Sequence, residues 1–366
     1  MNEGWTRKPL GQIVTLQRGF DLPKRLRSDG DVPVISSSGA EDHHDDPIKM
    51  GPGVVTGRYG TIGKVFFVDG PYWPLNTTLF VSNFHSNDPR FCYYLLQSFD
   101  FSDHSGKSGV PGVNRNDLHA IEVAFPKTLH EQQAIAATLS DADGAVAGLQ
   151  RVIAKKRLIK QGAMQDLLTA RRRLPGFSGE WEVRPFAQIA RIRNSKVQTL
   201  GNPVAQSCIE LEQIEHETGR VLFWVDATAR PTVKYQFEPG DVLFGRLRPY
   251  LRKFHRATVQ GVCSTEIWPL MSQGIDSGFL YQVVQSSGFV AAACEAYGTH
   301  MPRADWGKLA TFEVQVPVDP KEQVAIGEAL NDMEKEIQTL ESRLTKARAV
   351  KEGMMQNLLT GRVRLV

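Results

Sequence analysis

The chain has 366 residues, 41% of them hydrophobic, which is enough to bury more than one core and too apolar for a disordered chain. Its 43 basic residues nearly balance 40 acidic ones, leaving a formal charge of +3, so any polyanion site has to come from local arrangement. Cys92, Cys208, Cys263 and Cys294 lack the spacing of zinc or redox motifs and read as buried thiols, and the absence of a long apolar run or a signal-like start predicts a cytoplasmic protein with no membrane span.

Residues 1–129 read as a first globular domain opened by WTRKPLGQI (5–13). Lys24, Arg25 and Arg27, with Ser36, Ser37 and Ser38, are candidates for phosphate or base-edge contact, against the plainer reading of solvated loops. The run EDHHDD (41–46) has the composition of a metal site without regular ligand spacing, so a solvated loop and no metal are expected. A strand then leads into GRYGTIGK (57–64), where Arg58, Tyr59, Thr61 and Lys64 are the main nucleic-acid candidates and the glycines are expected to let backbone approach DNA. This is not a phosphate loop, because Val65 stands where a hydroxyl is required and the glycine spacing is one residue too long. Lys107, Asn114 and Arg115 flank a turn before an alternating strand through Ile121, Val123 and Phe125 that ends at Pro126.

Residues 130–174 form a long helix and a corner. Apolar residues at alternating steps of four and three, Ile135, Leu139, Val146, Leu149, Ile153 and finally Leu167, make a seam for a partner helix. No proline interrupts Pro126 to Pro175, so a helix of about forty residues and roughly 60 Å is allowed. Lys156 and Lys160 fall on the seam near Gly162, leaving two options open: a polar patch that fixes register, or a local break. A second stripe, Val152, Leu158, Ile159, Met164 and Leu168, suits either a docking partner or burial against a domain. Arg171, Arg172 and Arg173 suit the helix C-terminus, and ARRRLPGFSGEW (170–181) supplies the turn.

A second domain over 175–320 begins with WEVRPFAQI (181–189). Its strand leads into RLRPYLRKFHR (246–256), which packs Arg246, Arg248, Arg252 and Lys253 around Tyr250 and His255, a stretch suited to phosphates and to arginine readout of guanine. Thr299, His300 and Arg303 flank the turn before the strand through Phe312, Val314 and Val316. Residues 321–366 form a second long helix with the seam Ile326, Leu330, Ile337, Leu340, Leu344 and Leu358.

The two helices are one text written twice, Glu131 aligning with Glu322 and Thr169 with Thr360 without a gap, and the match extends upstream from Val110 onto Met301. The predicted fold is α/β (α+β): two globular domains separated by a long antiparallel two-helix coiled coil, with a pseudo-two-fold internal repeat. The paired domain entries, the Pro126/Glu131/Gln132 and Pro320/Glu322/Gln323 helix starts and the MQDLLT and MQNLLT ends resemble the specificity subunit of type I restriction-modification systems, over essentially the whole chain. The resemblance implies no catalytic residue and no cofactor. It implies a subunit that reads an asymmetric bipartite DNA target with a fixed unspecified spacer, and that docks methyltransferase subunits, two in number, and restriction or translocase subunits. Neither a glycine-rich turn for S-adenosylmethionine nor a proline-aromatic base-gripping motif is present, which excludes methylation by the chain itself. The alternative is a coiled-coil scaffold whose globular domains bind protein. With near-neutral domains, tight DNA binding is expected to need the methyltransferase partners.

Overall fold

The computed structural model of the chain describes residues 4–101, 112–295 and 302–365. It forms two compact units, Met1–Gln150 with Ser342–Val366, and Arg151–Glu341. The fold is mixed α/β.

In the first unit the chain runs through β1 (Trp5–Pro9), β2 (Thr15–Arg18), β3 (Val32–Ser36), β4 (Gly39–His44), β5 (Gly53–Gly57), β6 (Val65–Val68), β7 (Trp73–Pro74) and β8 (Thr78–Asn83). It continues through α1 (Pro89–Gln97), α2 (Arg115–His119) and β9 (Glu122–Pro126) into α3 (Leu129–Leu167). An antiparallel sheet in the order β2-β8-β5-β6 shares its core with α1 through Val54, Leu79, Phe91 and Leu95. A smaller sheet, β4-β3-β7, carries the remaining strands. Helix α1 starts where it does because Asp88 accepts the Phe91 N–H at 2.8 Å and Pro89 fills the first turn, where no backbone donor is needed. The ribbon β1-β9 pairs Trp5 with Pro126 at its end.

The second unit repeats this plan. Its elements are β10 (Trp181–Pro185), α4 (Phe186–Ile189), β11 (Ala190–Ile192), β12 (Lys196–Gln198), β13 (Cys208–Ile209), β14 (Val233–Phe237), β15 (Val242–Gly245), β16 (Phe254–Arg256), β17 (Gly261–Cys263) and β18 (Ile267–Ser272). There follow α5 (Ser277–Gln285), α6 (Ser287–Cys294), α7 (Trp306–Ala310), β19 (Glu313–Pro317) and α8 (Pro320–Leu358). The sheet β11-β18-β15-β16 answers β2-β8-β5-β6, and the ribbon β10-β19 pairs Trp181 with Pro317 as β1-β9 pairs Trp5 with Pro126. The second sheet differs: β12-β14-β17-β13 has four strands where the first unit has three.

Both long helices have 39 residues and run unbroken through Gly162 and Gly353, so the option of a break is excluded. They meet antiparallel inside each unit. In the second, Lys156 pairs with Glu336 at 2.7 Å, Lys160 with Glu334 at 2.8 Å and Arg173 with Glu322 at 2.5 Å. In the first, Lys351 pairs with Asp143 at 2.5 Å and Arg364 with Glu131 at 3.0 Å. Lys160–Glu334 and Lys351–Asp143 occupy matching positions of the repeat, as do Arg173–Glu322 and Arg364–Glu131. The seam lysine is thus the cationic half of a repeated ion pair. The arginines after the helices do more than suit the helix dipole, since each clasps the buried glutamate that opens the opposite helix.

The glutamine beside that glutamate has its own repeated task. Gln132 accepts the Asp88 N–H and Gln323 the Asp276 N–H, at 2.9 and 2.8 Å, while their amides donate back to Pro126 O and Pro317 O. Each Glu-Gln start therefore ties the long helix to the ribbon and to the helix packed on the sheet.

The seam residues are buried toward the helix ends and half-buried in the middle. Ile135, Leu139 and Leu358 join the first core, and Leu167, Ile326 and Leu330 the second. Ile153 and Ile337 are buried, whereas Val146, Leu149, Leu340 and Leu344 are half-buried. Much of the seam therefore packs on a globular domain as well as on its partner helix. Of the second stripe, Met164 and Leu168 pack on the second core, while Val152, Leu158 and Ile159 stay exposed. No described helix is long and apolar enough to cross a membrane.

Candidate nucleic-acid interface

Each unit carries one loop with the same backbone wiring. In the first, the loop after β5 hangs on the turn before β8: the Arg58 and Tyr59 N–H groups donate to Thr77 O at 2.8 and 3.2 Å. Val113 N–H closes the other side onto Arg58 O at 2.9 Å. In the second, Arg246 N–H donates to Glu266 O at 2.9 Å and Ala304 N–H to Arg246 O at 2.8 Å. Arg58 and Arg246 are thus the same position, as are Thr77 and Glu266. The loops following both strands are wedged between the central strand of the main sheet and the segment before the shared ribbon.

Glycine at the head of each loop serves the fold rather than access to a ligand. A Cβ on Gly57 would lie 1.9 Å from Thr61 O, so the loop closes on itself only without a side chain there. At Gly245 the same space is taken by Leu211 Cδ2, 2.9 Å away. At Gly57 and Gly245 the fold alone requires glycine, whereas Gly63, at φ +88°, faces open space.

In the first unit the Arg58 guanidinium lies over the Tyr59 ring, 4.5 Å from its centroid, and Tyr59 and Lys64 are exposed. Thr61 is half-exposed beside them, and Ser37 is drawn to the same loop through Gly57 and Gly60. Ser38 is exposed, its hydroxyl 2.8 Å from that of Ser36. Lys24 and Arg25 are exposed on a short turn. Arg27 is not part of this surface: its guanidinium binds Asp42 at 2.8 Å, Glu41 at 3.3 Å and Leu22 O. The same contact keeps the Asp42 carboxyl below the usual carboxylate range. The EDHHDD run is absorbed in this way, with His44 edge-on to Trp73, and the described residues contain no cluster arranged to hold a metal. Arg115 is exposed, whereas Asn114 caps α2 by accepting the Asn116 N–H at 3.0 Å. Lys107 lies outside the described residues, as do Thr299 and His300.

The basic run of the second unit divides in the same manner. Arg252 donates to Gln285 O at 2.5 Å and Lys253 to Leu211 O at 2.6 Å, so both brace the loop from within. His255 sits 2.9 Å from Gly219 O, and burial holds its imidazole below the ordinary range, in the neutral form. These three were expected on the nucleic-acid surface and instead anchor it. The outward residues are Arg248 and Tyr250, the latter 53% exposed at the tip of a tight turn. Arg248 and Arg252 flank that turn with φ of +51° and +50°, a left-handed conformation that non-glycine residues adopt under strain. Arg248 is held there by its N–H to Pro302 O at 2.8 Å.

Arg246 stacks over Trp268 at 5.3 Å, and its Nε lies 3.9 Å from a Glu266 oxygen. Arg303, bridged to Leu247 through backbone, donates Nε–H and Nη2–H to the Glu266 carboxylate at 3.0 to 3.1 Å. The structure thus gathers Arg246, Arg248, Tyr250 and Arg303 in one place. Sequence reasoning missed Glu266 and Trp268, which stand at the entry of a strand and carry no local signal of their partners.

Residues 2–155 match the family described as Type I restriction modification DNA specificity domain. The chain is 25% identical over 308 residues to the type I restriction enzyme EcoDI specificity subunit of Escherichia coli, covering 74% of this chain and 68% of that protein. It is 23% identical over 305 residues to the MjaVIII specificity subunit of Methanocaldococcus jannaschii, covering 76% and 71%. Its fold is similar to the crystal structure of a type I restriction-modification S subunit from M. genitalium, with TM-score 0.66 at 15% identity over 97% of this chain and 96% of that one. A second solved chain, from a study of complex assembly and conformational transition in the type I system, matches with TM-score 0.56 at 13% identity over 99% of both.

Proposed function

We propose that the chain is a DNA-recognition subunit of the type I restriction-modification specificity family, and that each of its units reads one half of an asymmetric, bipartite duplex target. The observation that carries this reading is the recurrence of one loop, on one pattern of backbone hydrogen bonds through a matched arginine, Arg58 or Arg246, with different side chains beside it: Tyr59, Thr61 and Lys64 in one unit, Arg248, Tyr250 and Arg303 in the other. A repeated scaffold with diverged outward residues suits two readers of unlike sequences. Lys24, Arg25, Ser37, Ser38 and Arg115 extend the first surface.

The spacer between half-sites is set by α3 and α8. At about 1.5 Å per residue, 39 residues span about 58 Å, and each helix gives its first 22 residues to one unit and its last 17 to the other. Half-sites whose major grooves face the same way lie about one helical turn apart, about 34 Å. The bases between them go unread.

The chain itself has no catalytic role. Methylation and cleavage belong to modification subunits, two per assembly, and to restriction subunits that dock on it, with the exposed Val152, Leu158 and Ile159 of α3 on one docking face. Tight DNA binding requires those partners. The test is the salt dependence of duplex binding by the assembled complex: phosphate contacts predict a linear fall of log affinity with log salt, and a flat response would refute DNA contact in favour of a protein scaffold.

A further inference from the structure

We propose that Glu266 is a positioning residue that aims the Arg303 guanidinium at a guanine in the second half-site. The proposal rests on the DNA-reading role above and assigns one base contact within it.

The matched hydrogen bonds make the comparison residue by residue. Where the second unit has Arg246, Glu266 and Arg303, the first has Arg58, Thr77 and Gly112. Both units keep the loop arginine; only the second adds a carboxylate and another arginine. In the first, the space beside Gly112 is filled by the Tyr59 ring, 2.3 Å from where a Cβ would stand, so a side chain there would have to displace that ring. The Thr77 hydroxyl is buried without a hydrogen-bond partner. The carboxylate and second arginine are therefore a device of one unit alone.

The geometry suits base reading. Glu266 takes the guanidinium of Arg303 side-on, through Nε–H and Nη2–H. Of the five N–H donors of an arginine, that leaves the end-on fork of Nη1–H and the outer Nη2–H, the pair that guanine O6 and N7 accept together. Arg303 is 44% exposed, so the fork is accessible. Its position is fixed before DNA arrives, by the bridge to Leu247 and by the carboxylate, which removes rotamer freedom that binding would otherwise have to restrict. Arg246, stacked on Trp268, supplies a second positive charge beside the same carboxylate, so the cluster stays cationic toward DNA. An exposed ion pair adds little to stability, so anchoring alone is a weak reason for this arrangement at the centre of the loop.

The test measures binding by the full chain in its assembled complex to duplexes carrying each single base-pair change in both half-sites. Wild type is compared with Arg303→Lys, which keeps the charge and the contact to Glu266 but has no fork, and with Glu266→Gln. We expect both variants to lose discrimination at one and the same G·C position of the second half-site, by roughly 5- to 100-fold for Arg303→Lys and less for Glu266→Gln, with the first half-site profile unchanged. Unchanged base preferences in folded Arg303→Lys would overturn the proposal. So would weakening of every duplex alike with a shallower salt response, the mark of a phosphate contact. Absence of any sequence preference in wild type is a separate result, which would overturn the DNA-reading role and this assignment with it.

Discussion

Placed side by side, the two units agree in what holds them together and differ in what they present. Glu131, Gln132 and Asp143 recur as Glu322, Gln323 and Glu334; Lys351 and Arg364 answer Lys160 and Arg173. Every one of these side chains makes the matching contact in its own unit. At the loops the backbone bonds and the arginine at their head recur, but the other side chains do not. The frame needs side-chain partners at fixed offsets, while the loops keep one pattern of backbone bonds under outward side chains that differ.

The largest effect should come from the frame. Leu139 and Leu330 are matched positions, each with 0% exposure in its own core. Replacing either by alanine should cost about 2–5 kcal/mol in unfolding free energy, the two values lying close together. Denaturant unfolding of both variants checks this, and a large cost at one site with almost none at the other would break the equivalence.

The glutamates sharpen the comparison through a small difference. Glu131 also accepts the Trp5 indole N–H at 3.0 Å, whereas the Trp181 indole N–H is buried without a partner. Glu131→Ala strands that indole donor, which should add about 1–3 kcal/mol to its effect and has no counterpart in Glu322→Ala. A double-mutant cycle of Glu131→Ala with Trp5→Phe isolates this contribution; a coupling of zero would contradict the contact.

At the loops, Arg58→Ala and Arg248→Ala should each weaken duplex binding by the complex and lower the salt slope by about one. The first should act through one half-site and the second through the other. Loss of affinity with an unchanged slope in both would remove these arginines from the phosphate contacts.

The smallest effect concerns pH. His119 and His255 each stand below the ordinary imidazole value of 6.5, chiefly through burial, with Arg115 adding to the shift at His119. As pH falls, the unfolded chain takes up these protons first, so the stability they confer is full above about 6.5 and is lost below it. His119 accepts the Leu16 N–H at 2.9 Å, a bond that the protonated ring cannot accept. His119→Gln should flatten the acid limb of the stability profile for the first unit, and an unchanged profile would contradict the role of the neutral ring as acceptor from Leu16.

The long helices, their antiparallel pairing, the shared strand before each and the mixed α/β class were legible because each is written twice at one offset and with one period. Which cations face outward was not. Arg27, Arg252 and Lys253 look in sequence like Lys24, Arg248 and Arg25, but a carboxylate or carbonyl brought in by the fold occupies the first three. Glu266 lies far along the chain from both Arg246 and Arg303, so no local pattern announces the pair. Met164 and Leu168 were ambiguous for a similar reason, since a helical stripe does not say whether a domain or a partner covers it.

The most direct test is the pattern of adenine methylation in the genome of cells that carry this chain with its modification subunits. One repeated frame bearing two unlike readers predicts a single motif of two different half-sites separated by an unspecified gap of constant length. A motif with identical palindromic halves, or an uninterrupted one, would contradict that account.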